Sequence, residues 1–222
     1  MEKVRFGAFM HFSALGADYR RENTVKNVVI LIINMLKDFH HFKGDELTRS
    51  EKVQREVVEL LLSSTLRESE RESSTIWELK HSSGVCQIGR ILAQKRHLEL
   101  EIAELVCILH DIYVVVEGKY EDHAKRGAEI AEKILREMGG FTSQEITLIK
   151  EAVAHHSEKQ IHTNKPYVEL AKDADVFDCS LYQNAKGFYS LHKPKEIYEE
   201  YVKRIRAVRK ELGLKEGNVF RD

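Results

Sequence analysis

Apolar residues recur along this chain with the period of an α-helix almost throughout. Apolar residues recur every three or four positions, which places them on one face of an α-helix. The spacing predicts helices over about 25–42, 53–62, 81–96, 99–112, 122–138, 142–156, 166–185 and 194–212. The segment 66–74 reads LRESERESS and has no apolar stripe, so it is predicted to be a solvated linker or a loop over a site.

Residues that favour helix ends support these boundaries. Gly139 begins a glycine pair, and Thr142 with Glu145 three residues later has the pattern of a helix N-cap. Pro166 and Pro194 stand where two further helices are predicted to begin. The pattern indicates helices joined by tight corners.

Composition agrees with a helical fold. Only two prolines and 12 glycines occur in 222 residues, and 32% of the residues are charged. Few chain breakers and many charges are typical of long amphipathic helices. The predicted fold class is therefore all-α, a helical bundle with additional N-terminal and C-terminal helices. We expect an N-terminal helical extension and linker over 1–74, followed by one domain over 75–222.

Charge and apolar runs limit the possible partners. The 35 basic and 36 acidic side chains give a net charge of −1, which provides no global attraction to nucleic acid or to an anionic membrane. The longest apolar run, 28–33, is far shorter than the roughly 20 residues that span a bilayer. Residues 1–14 lack the pattern of a signal peptide. We expect a soluble cytoplasmic chain, with packing on a second subunit left open.

Cysteine usage points to the same compartment. Cys86, Cys107 and Cys179 are odd in number and have no CxxC spacing. Neither a disulfide framework nor a zinc ribbon is indicated. A reducing environment is the simplest expectation.

Four polar residues fall on the apolar faces of predicted helices. His81 lies in the first turn of one helix, His110 and Asp111 close another, and Asp175 lies within a third. Any one of them alone would be interpreted as a hydrogen-bonded core residue. Together, two imidazoles and two carboxylates can neutralise a divalent cation and leave coordination positions for water and substrate oxygens. The sequence therefore favours a metal site.

These motifs resemble the HD superfamily of metal-dependent phosphohydrolases. The HD pair at 110–111, KDADVFD around Asp175, HAKRGAEIAEKIL from His123 and AVAHH ending at His156 occur in the family's order. The resemblance covers about 81–185, and these residues are similar to the HDIG-like branch of the superfamily. It implies that the metal ligands are His81, His110, Asp111 and Asp175.

The resemblance also implies the chemistry of the site. In the family the metal holds a phosphoryl oxygen and activates a water for attack on phosphorus. The implied catalytic residues are Asp111, which could also orient the water, and His123, His155 and His156. The three histidines could bind a second metal, contact phosphate or act as general acid, or be structural. The ion could be Mn, Fe, Co, Ni, Zn or Mg, with Mn favoured.

The chain departs from the family just after the HD pair. Tyr113 stands where some nucleotidase branches have a glutamate, so the usual auxiliary acid is missing. Glu117, Glu121 and Asp122 lie nearby and are interpreted as a solvated loop or as substitutes for that acid. Tyr113 either contacts substrate or ends its helix.

Basic residues near the HD motifs supply candidate phosphate contacts. Lys125 and Arg126 are the first choice, and Lys159 and other nearby lysines are interpreted chiefly as a solvated face. The predicted function is a metal-dependent phosphohydrolase acting on a nucleotide or another small phosphorylated metabolite. Two alternatives stay open, a di-iron oxygenase on the same scaffold and a non-catalytic nucleotide-sensing domain.

Overall fold

The computed structural model describes residues 41–215, 217 and 219–221. The helix predicted over 25–42 lies almost wholly outside these residues. The chain from Leu47 onward forms one compact unit, which contains all the helices described below.

Nine α-helices and one short 3₁₀ turn make up the regular structure of the described residues, which include no β-strand. The helices are α1 (Arg49–Leu62), α2 (Thr75–Lys95), α3 (Leu100–Leu109), α4 (Ile112–Glu117), α5 (His123–Met138), α6 (Ser143–His155), α7 (Pro166–Ser180), α8 (Ala185–His192) and α9 (Lys195–Glu211). The prediction of an all-α fold is confirmed. None of the described helices combines the length and apolar character needed to cross a membrane.

Helix α2 begins earlier than the sequence pattern predicts. The Ser74 hydroxyl accepts a hydrogen bond from the backbone N–H of Trp77 and caps the helix, so α2 starts at Thr75. His81 therefore lies in the second turn of α2 and not in the first. The segment before it is non-helical, as predicted, except for the 3₁₀ turn Glu68–Glu70.

The helix predicted over 99–112 is interrupted at the HD pair. Helix α3 ends at Leu109 and α4 begins at Ile112, with Asp111 between them at φ −104° and ψ 24°. The helix predicted over 166–185 ends at Ser180, and α8 follows as a separate short helix that the pattern did not predict. Both interruptions lie beside the site described below.

The capped corner predicted before α6 is present. Thr142 accepts from the N–H of Glu145, and the Glu145 carboxylate accepts from the N–H of Thr142. Gly139 ends α5 with φ +70°, a backbone conformation that glycine adopts readily. This corner sets α6 against α5.

Helix α1 belongs to the same hydrophobic core as the helices after it. Its buried residues Val53, Val57 and Leu61 join the central apolar cluster, and α1 packs on α3 and α4. The packed unit thus begins at Leu47, whereas the sequence predicted the domain from 75 onward. The assignment of 1–74 as an extension stays a prediction that does not coincide with this packing.

Two glycines let α2 lie close to its neighbours. A Cβ atom at Gly84 would stand 2.0 Å from Asp178 Oδ1 on α7, and one at Gly89 would stand 2.2 Å from Cys107 Sγ on α3. Such distances are sterically impossible without movement. The glycines therefore permit α2, α3 and α7 to meet around one point.

Candidate metal centre

Six histidine and aspartate side chains converge where α2, α5, α6, α7 and the α3–α4 turn meet. They are His81, His110, Asp111, His123, His156 and Asp175. His81, His110 and His156 are almost completely buried, and Asp111 retains only 6% of its exposure. The convergence expected from the sequence is therefore present.

The first group of donors contains the four ligands that the resemblance implies. His81 Nε2 lies 3.2 Å from His110 Nε2 and 3.4 Å from Asp175 Oδ1. Asp111 Oδ2 lies 3.4 Å from His110 Nε2 and 3.8 Å from His81 Nε2. All four side chains thus present an atom to the same small volume.

The second group lies on the other side of Asp111. Its Oδ1 atom is 3.1 Å from His156 Nε2 and 3.4 Å from His123 Nε2. Asp111 therefore faces one group with each carboxylate oxygen. The break between α3 and α4 makes this bridging position possible, because Asp111 stands at the turn between them.

Hydrogen bonds fix the orientation of four imidazole rings. The Nδ1 atoms of His81, His110, His123 and His156 contact Asp178 Oδ2 (2.7 Å), Cys107 O (2.7 Å), Tyr120 O (2.8 Å) and Val153 O (2.8 Å), respectively. A carbonyl or carboxylate oxygen can only accept, so each Nδ1 carries the proton and donates it. Each Nε2 is left with a lone pair directed into the cluster, as in histidine ligands of metals.

The electrostatics of the cluster favour bound positive charge. Burial opposes ionisation of Asp111 and Asp175, but His110 and Lys159, respectively, outweigh it and hold both pKa values well below the ordinary range. Burial likewise opposes protonation of His110, yet the Asp111 charge prevails and raises the pKa of that imidazole. For His156 burial dominates and lowers the pKa to about 4.

One lysine partly balances the carboxylates. Lys159 is 1% exposed, forms an ion pair with Asp175 and donates to the His156 carbonyl at 2.6 Å. Three carboxylates, the buried Asp111 and Asp178 and the half-buried Asp175, still face this single lysine. A divalent cation would neutralise the remainder.

The donor set fits a divalent metal ion. Two nitrogens 3.2 Å apart, as in His81 and His110, can both lie about 2.1 Å from one ion at roughly a right angle to each other. Mixed imidazole and carboxylate donors suit several first-row divalent ions. The residues present can therefore hold a metal, and they do not single out which one.

A cavity of about 600 Å³ opens over this cluster. His81, Asp111, His123 and Asp175 line its floor. Its wall is rich in aromatic side chains and ends in two amides and a lysine: Trp77, Tyr182, Phe188, Tyr189, Tyr201, Gln183, Asn184 and Lys193. Trp77 stacks on His81 with ring centroids 5.3 Å apart, so the aromatic wall starts directly beside the metal ligands.

Several residues predicted for the site lie elsewhere. His155 is 45% exposed at its side chain and pairs with Glu158 at 2.8 Å, so His156 is the member of the pair that faces Asp111. Lys125 and Arg126 are exposed on α5 and do not line the cavity. Lys125, two residues after His123, is turned about 160° away from it around the helix. Arg126, three residues after His123, is only about 60° away, but its guanidinium donates to the Tyr113 hydroxyl.

Tyr113 also lies outside the cavity. Its hydroxyl accepts a hydrogen bond of 2.6 Å from Arg126, whose guanidinium stacks over the tyrosine ring. The roles predicted for Tyr113, Lys125 and Arg126 in substrate binding stay predictions without support from their positions.

Other residues of the site were missed by sequence reasoning. Lys159 was expected on a solvated face, yet it is buried against Asp175. Asp178 was expected to be only a neighbour of the ligands, and it orients His81. Tyr120 was not singled out, although it holds His123 and lines the cavity. For Asp178 and Tyr120, the only signal in the sequence is that each lies three residues from a predicted site residue, Asp175 and His123 respectively.

Comparisons with known proteins agree with this geometry. Residues 79–179 match the HD domain family. The chain is 31% identical over 148 residues to ribonuclease Y of Lawsonia intracellularis and 27% identical over 142 residues to ribonuclease Y of Desulforamulus reducens. These matches cover 66% and 63% of this chain but 25% and 24% of the relatives, so the chain spans about a quarter of their length.

One solved structure also aligns with much of the chain. The crystal structure of a predicted HD superfamily hydrolase from an uncultured Thermotogales bacterium aligns over 72% of this chain and 88% of its own, with 21% identity and a TM-score of 0.46.

The family match covers the stretch of chain that contains the site. Residues 79–179 form an HD domain, which includes the candidate ligands from His81 to Asp175. The prediction of the HD superfamily is confirmed, and the HDIG-like branch stays a prediction.

Proposed function

We propose that this protein is a metal-dependent phosphohydrolase that acts on a nucleotide or another small phosphorylated metabolite. The observation that carries the proposal is the bridging position of Asp111, whose two oxygens face two groups of inward-directed imidazole lone pairs at the floor of a cavity. Such an arrangement suits one or two divalent ions, with His123 and His156 as ligands of the second.

Each residue of the centre has a distinct proposed role. His81, His110, Asp111 and Asp175 would hold the first ion, and Asp111 would also accept a hydrogen bond from the attacking water. When bound, divalent ions polarise the phosphoryl group and acidify that water. Asp178 keeps the His81 ring in place, and Lys159 fixes the carboxylate of Asp175.

The cavity wall supports a nucleotide as substrate. Aromatic side chains provide flat apolar surface for a base, and the Gln183 and Asn184 amides provide donors and acceptors for its edge. Among the described residues lining the cavity, Lys193 is the only lysine or arginine. One cation beside the metal floor favours a substrate with few phosphoryl groups over a long polyanion.

Two other functions use the same donors. A di-iron oxygenase would need both groups filled by iron, and the second group of imidazoles is the feature that favours it. A nucleotide sensor would bind the ligand without turnover. Because two relatives are named ribonucleases, a short RNA is also a reasonable substrate to examine.

A substrate panel with defined metals tests the proposal. The purified chain is loaded with Mn, Fe, Co, Ni or Mg and incubated with nucleoside mono-, di- and triphosphates, cyclic dinucleotides and a short RNA. We expect metal-dependent release of phosphate or nucleotide, and we expect Asp111→Asn to lack it.

The alternatives give different outcomes. Two irons per chain with a visible charge-transfer band, and no release of phosphate or nucleotide, would favour the oxygenase. Saturable nucleotide binding without turnover under every metal would favour the sensor. Either result would contradict the hydrolase.

A further inference from the structure

Glu78 is a buried carboxyl group beside the candidate metal centre. It lies one turn before His81 on α2, and its side chain has no solvent exposure. Within the described part of the chain, no lysine, arginine or histidine forms an ion pair with it. A buried carboxylate without a cation is unfavourable, so the group favours its protonated form. Burial and then the charge of Asp111 raise the pKa of Glu78.

The contacts of Glu78 lead to the cavity. Its Oε1 atom accepts hydrogen bonds from the hydroxyls of Ser73 and Tyr120, the latter at 3.0 Å. Its Oε2 atom is buried and has no hydrogen-bond partner among the described residues. Ser73 and Tyr120 both line the cavity, whereas Glu78 itself does not. Either hydroxyl therefore connects the buried acid with the space above the metal ligands.

Tyr120 places this connection next to the second group of donors. Its ring packs edge-to-face on His123 with centroids 5.6 Å apart, and its carbonyl accepts from His123 Nδ1. His123 in turn lies 3.4 Å from Asp111. Tyr120 thus lines the cavity beside His123, which itself reaches Asp111.

We propose that Glu78 stores the proton that the leaving group receives, and that Tyr120 or Ser73 passes it on. This inference rests on the proposed phosphohydrolase function. It provides the auxiliary acid that the sequence lacks at Tyr113. Glu78 acts through a hydroxyl and does not touch the substrate.

The proton transfers balance in a single turnover. The oxygen of water bonds to phosphorus, and the bond from phosphorus to the leaving oxygen breaks. The Tyr120 or Ser73 hydroxyl, which donates to Glu78 at rest, turns and gives its proton to the leaving oxygen, and it takes the proton of the Glu78 carboxyl in exchange. The attacking water releases one proton to solvent. The carboxylate of Glu78 then takes one proton from solvent, so the protein returns to its starting state.

The test compares two esters that differ in their need for a proton. Phenyl phosphate releases a basic phenolate, whereas 4-nitrophenyl phosphate releases a stabilised anion; the corresponding diesters are used if the protein cleaves only diesters. Glu78→Gln keeps the size of the side chain but has no acidic proton. We expect kcat for the phenyl ester to fall about 10²-fold and kcat for the nitrophenyl ester to fall less than about 3-fold.

Variants of the two hydroxyls identify the relay. Tyr120→Phe or Ser73→Ala should reproduce the selective loss, depending on which hydroxyl carries the proton. Equal losses on both esters in Glu78→Gln would overturn the proposal and leave the phosphohydrolase function intact. The proposal would also be overturned if neither hydroxyl variant lost kcat selectively on the phenyl ester. Loss of bound metal in Glu78→Gln would overturn it as well.

A second readout needs no turnover. The metal-free protein near pH 5 should show the infrared band of a buried protonated carboxyl, and Glu78→Gln should lack that band. Identical spectra for the two proteins would contradict the storage of a proton on Glu78. If the wild type cleaves neither ester nor any other phosphate compound, the proposed function and this inference fail together.

Discussion

Helix α7 contributes carboxylates to two partly buried polar networks that differ in how their charges are balanced. On one side, Arg204 donates to Asp173 at 2.7 Å and to Glu169 at 2.8 Å, and Arg96 donates to Asp173 at 2.8 Å. On the other side, Asp175 faces the imidazole cluster, in which Nε2 lone pairs point at one another and at carboxylates. We call these the Arg204 network and the metal cluster.

This difference distinguishes a polar network that stabilises the fold from one that binds an ion. In the Arg204 network each acceptor meets a protein donor, so the network is complete by itself. In the metal cluster acceptors meet acceptors, which is repulsive unless a proton or a metal ion lies between them. Burial alone does not mark a functional site, but converging electron pairs do.

The largest expected effect is the loss of Asp111. Asp111→Ala should lower metal affinity and turnover by on the order of 10³-fold or more, because this carboxylate contacts both groups of donors. Helical circular dichroism should stay unchanged. Titration with Mn and a turnover assay measure the two losses, and full metal occupancy in the variant would refute the bridging role.

Breaking the Arg204 network should lower stability and leave metal binding unchanged, the reverse of the Asp111 variant. Arg204→Met leaves Asp173 and Glu169 with fewer donors and should lower the free energy of unfolding by roughly 3 kcal/mol. Metal bound per folded molecule should stay the same. Urea unfolding and metal analysis at low temperature measure both, and metal loss without destabilisation would show that the two networks are not independent.

The adjacent histidines offer a matched pair. His156→Ala should lower kcat by about 10²-fold, because His156 faces Asp111. His155→Ala should change kcat by less than about 2-fold, because His155 is half-exposed and pairs with Glu158. Steady-state kinetics of the two variants decide the assignment; equal losses would mean that His155 also serves the site.

The most gradual effect concerns pH. Only a neutral imidazole binds metal, and the pKa of His110 lies above its ordinary value of 6.5 in the metal-free protein. Protons therefore compete with metal as soon as the pH falls below that raised value, and affinity should fall by about 10-fold per further pH unit. His156, with a pKa of about 4, stays neutral over most of this range. Metal titrations from pH 8 to pH 5 measure the slope, and constant affinity would contradict it.

Much of the fold and part of the site follow from apolar periodicity. The stripes that predict the helices also turn His81, His110 and Asp175 toward the core, which is why their convergence was predictable. The pattern misplaced the start of α2, because the Ser74 cap extends the helix through residues with a weak stripe. It missed α8, because eight residues with an exposed Phe188 and Leu191 give little periodic signal.

Buried charges were the hardest features to predict. Lys159 and Glu78 have the residue types of a solvated surface, and only the packing of α2, α6 and α7 shows that they are enclosed. Conversely, Lys125 and Arg126 are close to His123 in sequence but are exposed on α5, and neither lines the cavity. Distance along the chain was a poor guide where helical rotation decides the direction of a side chain.

Anomalous diffraction from crystals grown with Mn tests the central claim most directly. We predict a strong peak about 2.0–2.2 Å from His81 Nε2 and His110 Nε2, in contact with Asp111 and Asp175. A second peak between Asp111, His123 and His156 would establish a two-ion centre. An absence of any peak in the cluster, with the two Nε2 atoms still 3.2 Å apart and sharing a proton, would contradict the account.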